Sequence, residues 1–237
     1  MFSRMKTLVI LLALFSAGAA RSDDFDAASG AMKKGDYAAA FKLLKPLAEK
    51  GDARAQAELG ALYTVGRGAP ADPKEALKWT KLAAEHGNAG AQANLGTMYL
   101  EGQGATRDYK EAMKWSLLAA EQGVAAAQAN IASMYYDGSG VTQDYKESAK
   151  WMRLAAEQGD PESQINLGTM YVVGQGVERD PLRAYMWTNI GLESLPMSLS
   201  EKKAVQDMSA KNLSPEDIMK AQAMAKACKE SKFKNCG

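Results

Sequence analysis

The sequence predicts an all-α fold that is built as a stacked array of helix pairs. The first observation behind this prediction is a repeat: Asn88–Gly123 and the 36 residues that follow it are identical at 22 of 36 positions. The second is that large aromatic residues and glycines recur at the same interval of 36 residues. A fixed period of about 20–50 residues is typical of stacked arrays. The recurring positions are Trp79, Trp115, Trp151 and Trp187, Tyr63, Tyr99, Tyr135 and Tyr171, and Gly68, Gly104, Gly140 and Gly176.

Each unit contains two segments with helical periodicity, joined by a turn that contains glycine. In the unit that begins at Asn88, the first helix is predicted over about Ala89–Leu100 and the second over about Tyr109–Gln122. Between them, Gly102 and Gly104 can adopt positive φ, which lets the chain turn back. The residues expected on the inward faces are Ala91, Gln92, Leu95, Gly96, Met98 and Tyr99 in the first helix, and Ala112, Trp115, Leu118 and Ala119 in the second.

Capping residues mark the predicted helix boundaries. Asp108 and Glu111 have a D-x-x-E spacing that is similar to a capping box, in which both side chains accept hydrogen bonds from N–H groups at the helix start. In the last copy Asp180 keeps the cap, but Arg183 replaces the glutamate. The other boundary residues are Asp72 with Glu75, Asp144 with Glu147, the first-helix caps Asp52, Asn88 and Asp160, and the terminating glycines Gly87, Gly123 and Gly159. Small residues expected to allow close helix packing are Gly60, Gly96, Ala132 and Gly168.

These residues carry a resemblance to a known repeat family. Four successive copies match most positions of the pattern A-x-x-x-L-G-x-x-Y-x-x-G-x-G-x-x-x-D-x-x-x-A-x-x-W-x-x-x-A-A-E-x-G, which resembles the Sel-one-like repeat (SLR), a relative of the tetratricopeptide repeat. Ile131-Ala132 and Ser148 are small departures from it. The resemblance implies a right-handed α/α superhelical solenoid that is used for protein–protein interaction, often in exported bacterial proteins. It implies no common chemistry.

The chain ends are expected to differ from the repeats. Residues 1–20 have a basic start, a short apolar run and small residues, as in a secretory signal peptide cleaved after about Ala19 or Ala20; the alternative is an uncleaved anchor. Residues 21–51 are predicted to be a divergent unit, with helices over about Phe25–Lys34 and Tyr37–Lys50. The second of these is expected to turn Ala40, Leu43, Leu44 and Leu47 inward. The four repeats are expected at 52–87, 88–123, 124–159 and 160–195. Residues 196–237 are predicted to add two capping helices, over about Leu199–Ala210 and Pro215–Glu230, because terminal repeats need a polar outer surface.

Composition narrows the classes of function. A formal net charge of +1 gives no reason to expect nucleic acid or an acidic membrane as a partner. No membrane span is expected once the signal peptide is removed. Caps, turns and core account for the whole repeat, so the sequence predicts no catalytic residue, metal or cofactor, and a chain that is not an enzyme.

Three residues are candidates for a chemical role. Cys228 and Cys236 are the only cysteines, and an even number in an exported chain favours a disulfide; the alternative is a redox or metal pair. His86 is the only histidine and is expected to be a solvated residue at the end of a second helix rather than a ligand or a base.

One face of the first helices is not explained by packing. In tetratricopeptide-like solenoids the first helices line the concave surface, so this face is expected to form a groove that holds a segment of a partner protein. The alternative is that the asparagines bond to neighbouring helices and specify stacking. The predicted groove consists of Asn94, Thr97, Leu100, Asn130, Ser133, Tyr136, Asn166, Thr169 and Val172.

The sequence thus favours a periplasmic or secreted, non-enzymatic scaffold that binds another protein. Two alternatives remain. One is a binder of cell-wall peptidoglycan or a modulator of envelope enzymes, for which Tyr136 is the only exposed aromatic expected on the groove. The other is a β-lactamase-like hydrolase, but secreted relatives of that kind carry a cysteine pair in every repeat, and this chain has none there.

Overall fold

The computed structural model describes residues 24–234 and residue 236, which contain twelve α-helices and no β-strand. The predicted signal peptide, residues 1–20, lies outside the described residues. Within the described range, no helix has both the length and the apolar character needed to cross a membrane. The helices are α1 (24–33), α2 (Tyr37–Glu49), α3 (Ala53–Val65), α4 (Pro73–Glu85), α5 (Ala89–Glu101), α6 (Tyr109–Glu121), α7 (Ala125–Asp137), α8 (Tyr145–Glu157), α9 (Pro161–Val173), α10 (Pro181–Ser194), α11 (Leu199–Ala210) and α12 (Pro215–Glu230).

The chain forms two compact units. In the N-terminal unit, Met1–Arg107, α2 packs on α3, α3 on α4 and α4 on α5. In the C-terminal unit, Asp108–Gly237, each helix from α6 to α10 packs on the next, and α10 also contacts α11 and α12. This packing between consecutive helices confirms the predicted all-α solenoid of helix pairs.

Most of the predicted caps are present. Asp52, Asn88 and Asp160 each accept a hydrogen bond from a backbone N–H in the first turn of α3, α5 or α9. The equivalent residue before α7 is Val124, which has no side-chain acceptor. The second helices α4, α6, α8 and α10 are capped in the same way by Asp72, Asp108, Asp144 and Asp180.

The predicted role of the glutamate in the D-x-x-E spacing was wrong. The Glu75 carboxylate accepts a 2.9 Å hydrogen bond from Nε1 of Trp79 and a second hydrogen bond from Lys78. Glu111 does the same with Trp115 and Lys114. The side chain therefore points along the helix, because a buried indole N–H four residues later needs an acceptor.

Small residues allow the two helices of a pair to pack closely, as predicted. A Cβ atom added at Gly60 would lie 2.5 Å from Oγ1 of Thr80, and one added at Gly168 would lie 2.5 Å from Oγ1 of Thr188. These distances are far below van der Waals contact, so a larger side chain at either position would force the facing threonine, or the helix that carries it, to shift.

Each unit has a core of leucine, alanine and aromatic side chains. Two residues that were expected to face inward do not: Leu43 is 37% exposed and Leu118 is 38% exposed. Leu43 lies at the edge of the stripe formed by Ala40, Leu44 and Leu47, which are buried. The core of the N-terminal unit consists of Ala28, Leu44, Leu47, Ala48, Ala55, Leu59, Leu62 and Trp79.

The last two helices cover the end of the repeats. Both begin with reciprocal capping boxes, Ser198 with Glu201 and Ser214 with Asp217. The α12 helix buries Ala221, Ala225 and Cys228, the last two in the same cluster as Trp187 and Ile190 of α10. A disulfide joins Cys228 to Cys236 and holds the tail against this cluster.

Candidate partner-binding site

Three of the predicted groove residues lie on α5 in the N-terminal unit. Asn94 is exposed, and Thr97 and Leu100 are half-buried. The hydroxyl of Thr97 donates a 3.3 Å hydrogen bond to the carbonyl oxygen of Ala93, one turn earlier. These residues form one face of a single helix.

The C-terminal unit brings four of the other six together. Ser133 and Tyr136 of α7 and Asn166 and Thr169 of α9 line a single cavity with a volume of about 230 Å³. Asn130 and Val172 do not line it. We call this space the groove cavity, and its remaining lining residues are Asp137, Met152, Met170 and Gln175.

Tyr136 is fixed by contacts from three directions. Its hydroxyl donates a 3.0 Å hydrogen bond to Oε1 of Gln175, in the loop after α9. Its ring lies edge-on to the ring of Tyr145, with 5.3 Å between centroids, and its carbonyl oxygen accepts a hydrogen bond from Gln143. Tyr136 is nevertheless 37% exposed, and it lines the groove cavity. Aromatic groups held in this way bind partners with little loss of side-chain entropy.

Two hydroxyl groups of the groove cavity, those of Thr169 and Tyr136, present acceptors. The Thr169 hydroxyl donates its hydrogen to the carbonyl oxygen of Ile165 at 3.0 Å, which leaves its lone pairs for a partner. The Tyr136 hydroxyl has likewise given its hydrogen to Gln175. Asp137 adds a carboxylate at the rim, and Met152 and Met170 supply an apolar, adaptable floor.

A row of glutamines connects successive repeats. Nε2 of Gln56, Gln92 and Gln164 each donates to a carbonyl oxygen eight residues earlier, in the preceding helix, at 3.0–3.1 Å. All three side chains are buried. By contrast, Asn94 and Asn166 are exposed. These glutamines, which were placed on the inward face from sequence without a specific task, therefore bond consecutive helices, and a stacking role for the asparagines stays an alternative.

His86 is an exposed residue at the C-terminal cap of α4, as predicted. Its Nδ1 lies 3.0 Å from Oε1 of Gln56. Two repeats later, Gln158 occupies the position of His86, and its Nε2 donates a 2.7 Å hydrogen bond to Oε1 of Gln128. His86 is thus one member of a structural row. Among the described residues, no group of histidine, cysteine or carboxylate side chains is arranged to hold a metal ion.

Four residues that line the groove cavity are absent from the predicted groove: Asp137, Met152, Met170 and Gln175. Met152 and Gln175 lie on other elements than the first helices, and only the folded chain brings them to Tyr136 and Thr169. Met170 occupies a buried core position, which gave no signal for a site.

Comparison with known proteins identifies the repeat. The Sel1 repeat family model matches residues 28–52, 53–88, 89–124, 125–160 and 161–190. This model places each boundary between repeats one residue later than the boundaries predicted from the sequence. It also includes the divergent first unit as a fifth repeat. No curated protein matches the chain.

Solved structures with the same architecture come from several bacteria. A protective antigen of uropathogenic Escherichia coli strains, which displays an SLR fold, is 29% identical with a TM-score of 0.80; the match covers 93% of this chain and 49% of the antigen. A Sel1 repeat protein from Oxalobacter formigenes is 33% identical with a TM-score of 0.61, covering 72% of this chain and 49% of that one. This chain therefore spans about half the length of both.

A third structure, of a Sel1 repeat protein from Klebsiella pneumoniae, is 20% identical with a TM-score of 0.53 and covers 80% of this chain and 93% of that one. At this identity the likeness shows the fold alone. Family and fold agree across the repeats: the chain belongs to the Sel1 repeat family, whose members are generally non-enzymatic scaffolds for protein–protein interaction.

Proposed function

We propose that this chain is an exported, non-enzymatic scaffold that binds a segment of a partner protein in the groove cavity. The observation that carries the proposal is that Ser133 and Tyr136 share one cavity with Asn166 and Thr169 from the next repeat. Two repeats that contribute equivalent positions to one space form a continuous binding strip for an extended or helical segment.

The size of the groove cavity favours a protein partner over a small molecule. Its volume of about 230 Å³ is below the roughly 300–1,000 Å³ of pockets that enclose a drug-sized ligand. It suits one side chain of a partner segment, whose backbone groups would bond to exposed amides such as Asn166. Tyr136 would be the central aromatic contact, because rigid aromatic residues often dominate the binding energy of an interface.

Two features support export. The N-terminal residues 1–20 have the pattern of a signal peptide, and the Cys228–Cys236 disulfide is of a kind that forms in oxidising compartments such as the periplasm. Fusion of residues 1–20 to a periplasm-dependent reporter tests this: the reporter should become active, and an inactive, uncleaved fusion would contradict export.

Affinity capture with matched variants tests the groove. The tagged chain is crosslinked in its native cells, and bound proteins are identified by mass spectrometry. The Ser133→Arg/Thr169→Arg variant fills the cavity with two long cations and should lose the partner, while its helicity stays unchanged. The Thr142→Arg/Gln222→Arg variant adds the same charge at exposed positions outside the cavity and should keep the partner.

Comparison of the proteins captured by the wild-type chain and by the two variants decides whether the partner binds in the groove cavity. A partner that all three proteins capture equally binds another face, and the groove proposal is then wrong. The Asn130→Ala variant adds a second check: if it melts at a lower temperature yet keeps the partner, Asn130 serves the fold and not the binding of the segment.

A further inference from the structure

A second cavity in the C-terminal unit has a different chemical character from the groove cavity and shares no lining residue with it. It has a volume of about 450 Å³ and is lined by three arginines from α8, the loop after α9, and α10. We call it the arginine pocket, and its lining residues are Arg153, Tyr171, Val177, Glu178, Arg179, Asp180 and Arg183.

Tyr171 lies at the centre of the arginine pocket and is 4% exposed. Nη2 of Arg153 donates a 2.6 Å hydrogen bond to its hydroxyl oxygen, and the Arg183 guanidinium lies 6.0 Å from the centre of its ring. In the described part of the chain, this is the one hydrogen bond found for the Tyr171 hydroxyl. Because the oxygen accepts from a cation, the hydroxyl hydrogen remains available as a donor.

The Arg183 guanidinium lacks one acceptor. Nη1 donates to Oδ2 of Asp180 at 2.9 Å, and the other carboxylate oxygen of Asp180 accepts from the backbone N–H of Arg183. Nε of Arg183 is shielded from water and has no hydrogen-bond partner among the described residues. A shielded donor without an acceptor is unfavourable, so an oxyanion beside this guanidinium would be stabilised.

The charge around the pocket favours an anion. Both oxygens of Asp180 are already used by Arg183, which leaves Glu178 as the pocket's other carboxylate. Arg153 and Val177 also line a neighbouring cavity of about 490 Å³ that adds Lys146 and Lys150. Glu147 pairs with Lys150, and the half-buried Glu157 lies close enough to Arg153 to interact with its charge. Within the lining of the arginine pocket itself, three guanidinium groups face two carboxylates, which leaves one positive charge in excess.

Two of the three arginines, Arg153 and Arg183, are departures from the preceding copies, whereas Arg179 recurs as Arg107 two copies earlier. Thirty-six residues earlier, the positions of Arg153, Arg179 and Arg183 are occupied by Leu117, Gln143 and Glu147. Tyr171 itself is a conserved position of the pattern, with Tyr135 before it. The same helices therefore fold without these arginines, so the scaffold does not require them.

We propose that the arginine pocket binds the carboxylate group of an acidic side chain of a polypeptide. Guanidinium groups match the planar geometry of a carboxylate with paired N–H donors, and the Tyr171 hydroxyl completes the set. Apolar contact comes from Val177, which lines both cavities, and from the exposed Leu154 of the neighbouring cavity. The site is independent of the groove cavity.

Nuclear magnetic resonance of the arginine side chains tests the site directly. The full chain, labelled with ¹⁵N and recovered after export, is titrated with a blocked tetraglutamate peptide, with blocked tetraglutamine and with inorganic phosphate. We expect saturable shifts of the Nε–Hε signals of Arg153, Arg179 and Arg183 with tetraglutamate, and none with tetraglutamine. Single variants assign the three signals.

A variant built from the chain's own repeats provides the control. Arg153→Leu, Arg179→Gln and Arg183→Glu restore the residues of the preceding copy, so the fold should survive. The affinity for tetraglutamate should fall at least tenfold. A second variant, Lys42→Gln/Lys45→Gln/Lys211→Glu, removes the same total charge at exposed positions and should retain binding.

Each other outcome overturns the proposal. If tetraglutamate produces no saturable shift, the pocket does not bind carboxylates. If phosphate saturates the three signals and tetraglutamate does not, the ligand class is wrong. If both variants lose binding equally, net charge and not the pocket explains the association.

Discussion

The indole nitrogen of Trp115 donates a 2.9 Å hydrogen bond to the carboxylate of Glu111, one turn earlier on α6. The same bond joins Trp79 to Glu75 in the preceding repeat. Trp115 is 7% exposed, so its N–H has little access to water. The glutamate therefore fixes the orientation of the tryptophan that fills the space between helices.

Removal of this acceptor should destabilise the fold. In Glu111→Ala, the Trp115 N–H loses its partner, and we expect the free energy of unfolding to fall by about 1–2 kcal/mol. Urea unfolding followed by tryptophan fluorescence measures the change. The emission of Trp115 should also shift, because the indole is no longer held in one position.

Glu147→Ala is the matched control for Glu111→Ala. Glu147 stands at the same repeat position, and its carboxylate pairs with Lys150 on the exposed surface. Exposed ion pairs contribute about 0–1 kcal/mol, so this variant should be close to wild type. Equal losses in the two variants would show that the bond to the indole is unimportant.

The period and the caps could be predicted from sequence because they depend on local chemistry. The role of Asp108 follows from its place before an amphipathic helix, and the recurrence of Trp115 follows from counting. The role of Glu111 could not be predicted, because a glutamate at this position can either complete a capping box or accept a hydrogen bond from Trp115. Only the position of the indole distinguishes them.

The candidate site was predicted only in part, for a similar reason. Helical periodicity placed Ser133 and Thr169 at equivalent positions on the same face of the first helices. It could not show that Gln175, which lies 39 residues after Tyr136, turns back to accept its hydroxyl hydrogen. That contact depends on the path of a loop around its glycines, which helical periodicity does not describe.

The second glycine of each loop has a steric role beyond its positive φ. A Cβ atom added at Gly176, where φ is +70°, would lie 1.8 Å from the carbonyl oxygen of Tyr145. Added atoms at Gly104 and Gly68 would similarly lie 2.1 Å from Pro73 and 2.3 Å from Tyr37 backbone oxygens. The loops therefore lie directly on the first turn of an earlier helix.

Gly176→Ala should consequently lower the free energy of unfolding more than an alanine at another glycine with a similar positive φ. At Gly123, where φ is +83°, an added Cβ meets nothing within 4 Å. Gly123→Ala should lose about 1–2 kcal/mol from backbone strain alone. Gly176→Ala adds a backbone clash and should lose more than about 3 kcal/mol. Chemical unfolding of both variants gives the comparison; equal losses would mean that the loop moves away freely.

The disulfide should stabilise the C-terminal cap. Cys228 and Cys236 are eight residues apart, and loop entropy predicts about 2–3 kcal/mol for a ring of this size. Between them, Lys232 and Phe233 adopt positive φ values of 54° and 62°, which are unfavourable for residues with side chains. Packing of Phe233 on the core of the C-terminal unit helps to hold this turn.

Reduction should therefore release the tail and lower the melting temperature. Hydrogen exchange of residues 226–234 should accelerate, while exchange in α3 and α4 stays unchanged. The Cys228→Ala/Cys236→Ala variant is the control, because reductant should have no effect on it. If the wild-type chain melts at the same temperature with and without reductant, the disulfide contributes nothing to the cap.

The start of α12 should be sensitive to acid. The Ser214 hydroxyl donates to Oδ2 of Asp217 at 2.8 Å, and the Ser214 backbone N–H donates to the same atom at 3.2 Å. These bonds favour the charged form and hold the pKa of Asp217 below its ordinary value. Because the pKa is lower in the folded chain than in the unfolded chain, the stabilisation is complete above the ordinary pKa. It is lost as the pH falls through the lowered value.

Ser214→Ala should raise the pKa of Asp217 towards its ordinary value, since both the hydroxyl donor and the geometry of the box are lost. A titration of carboxyl ¹³C signals measures this directly. Ser198→Ala is the matched control: it should raise the pKa of Glu201 in the equivalent box of α11 and leave Asp217 unchanged. A wild-type Asp217 that titrates at the ordinary value would show that the box does not form in solution, and α12 would then be held in place by its buried face, the disulfide and the ion pair of Lys229 with Glu193.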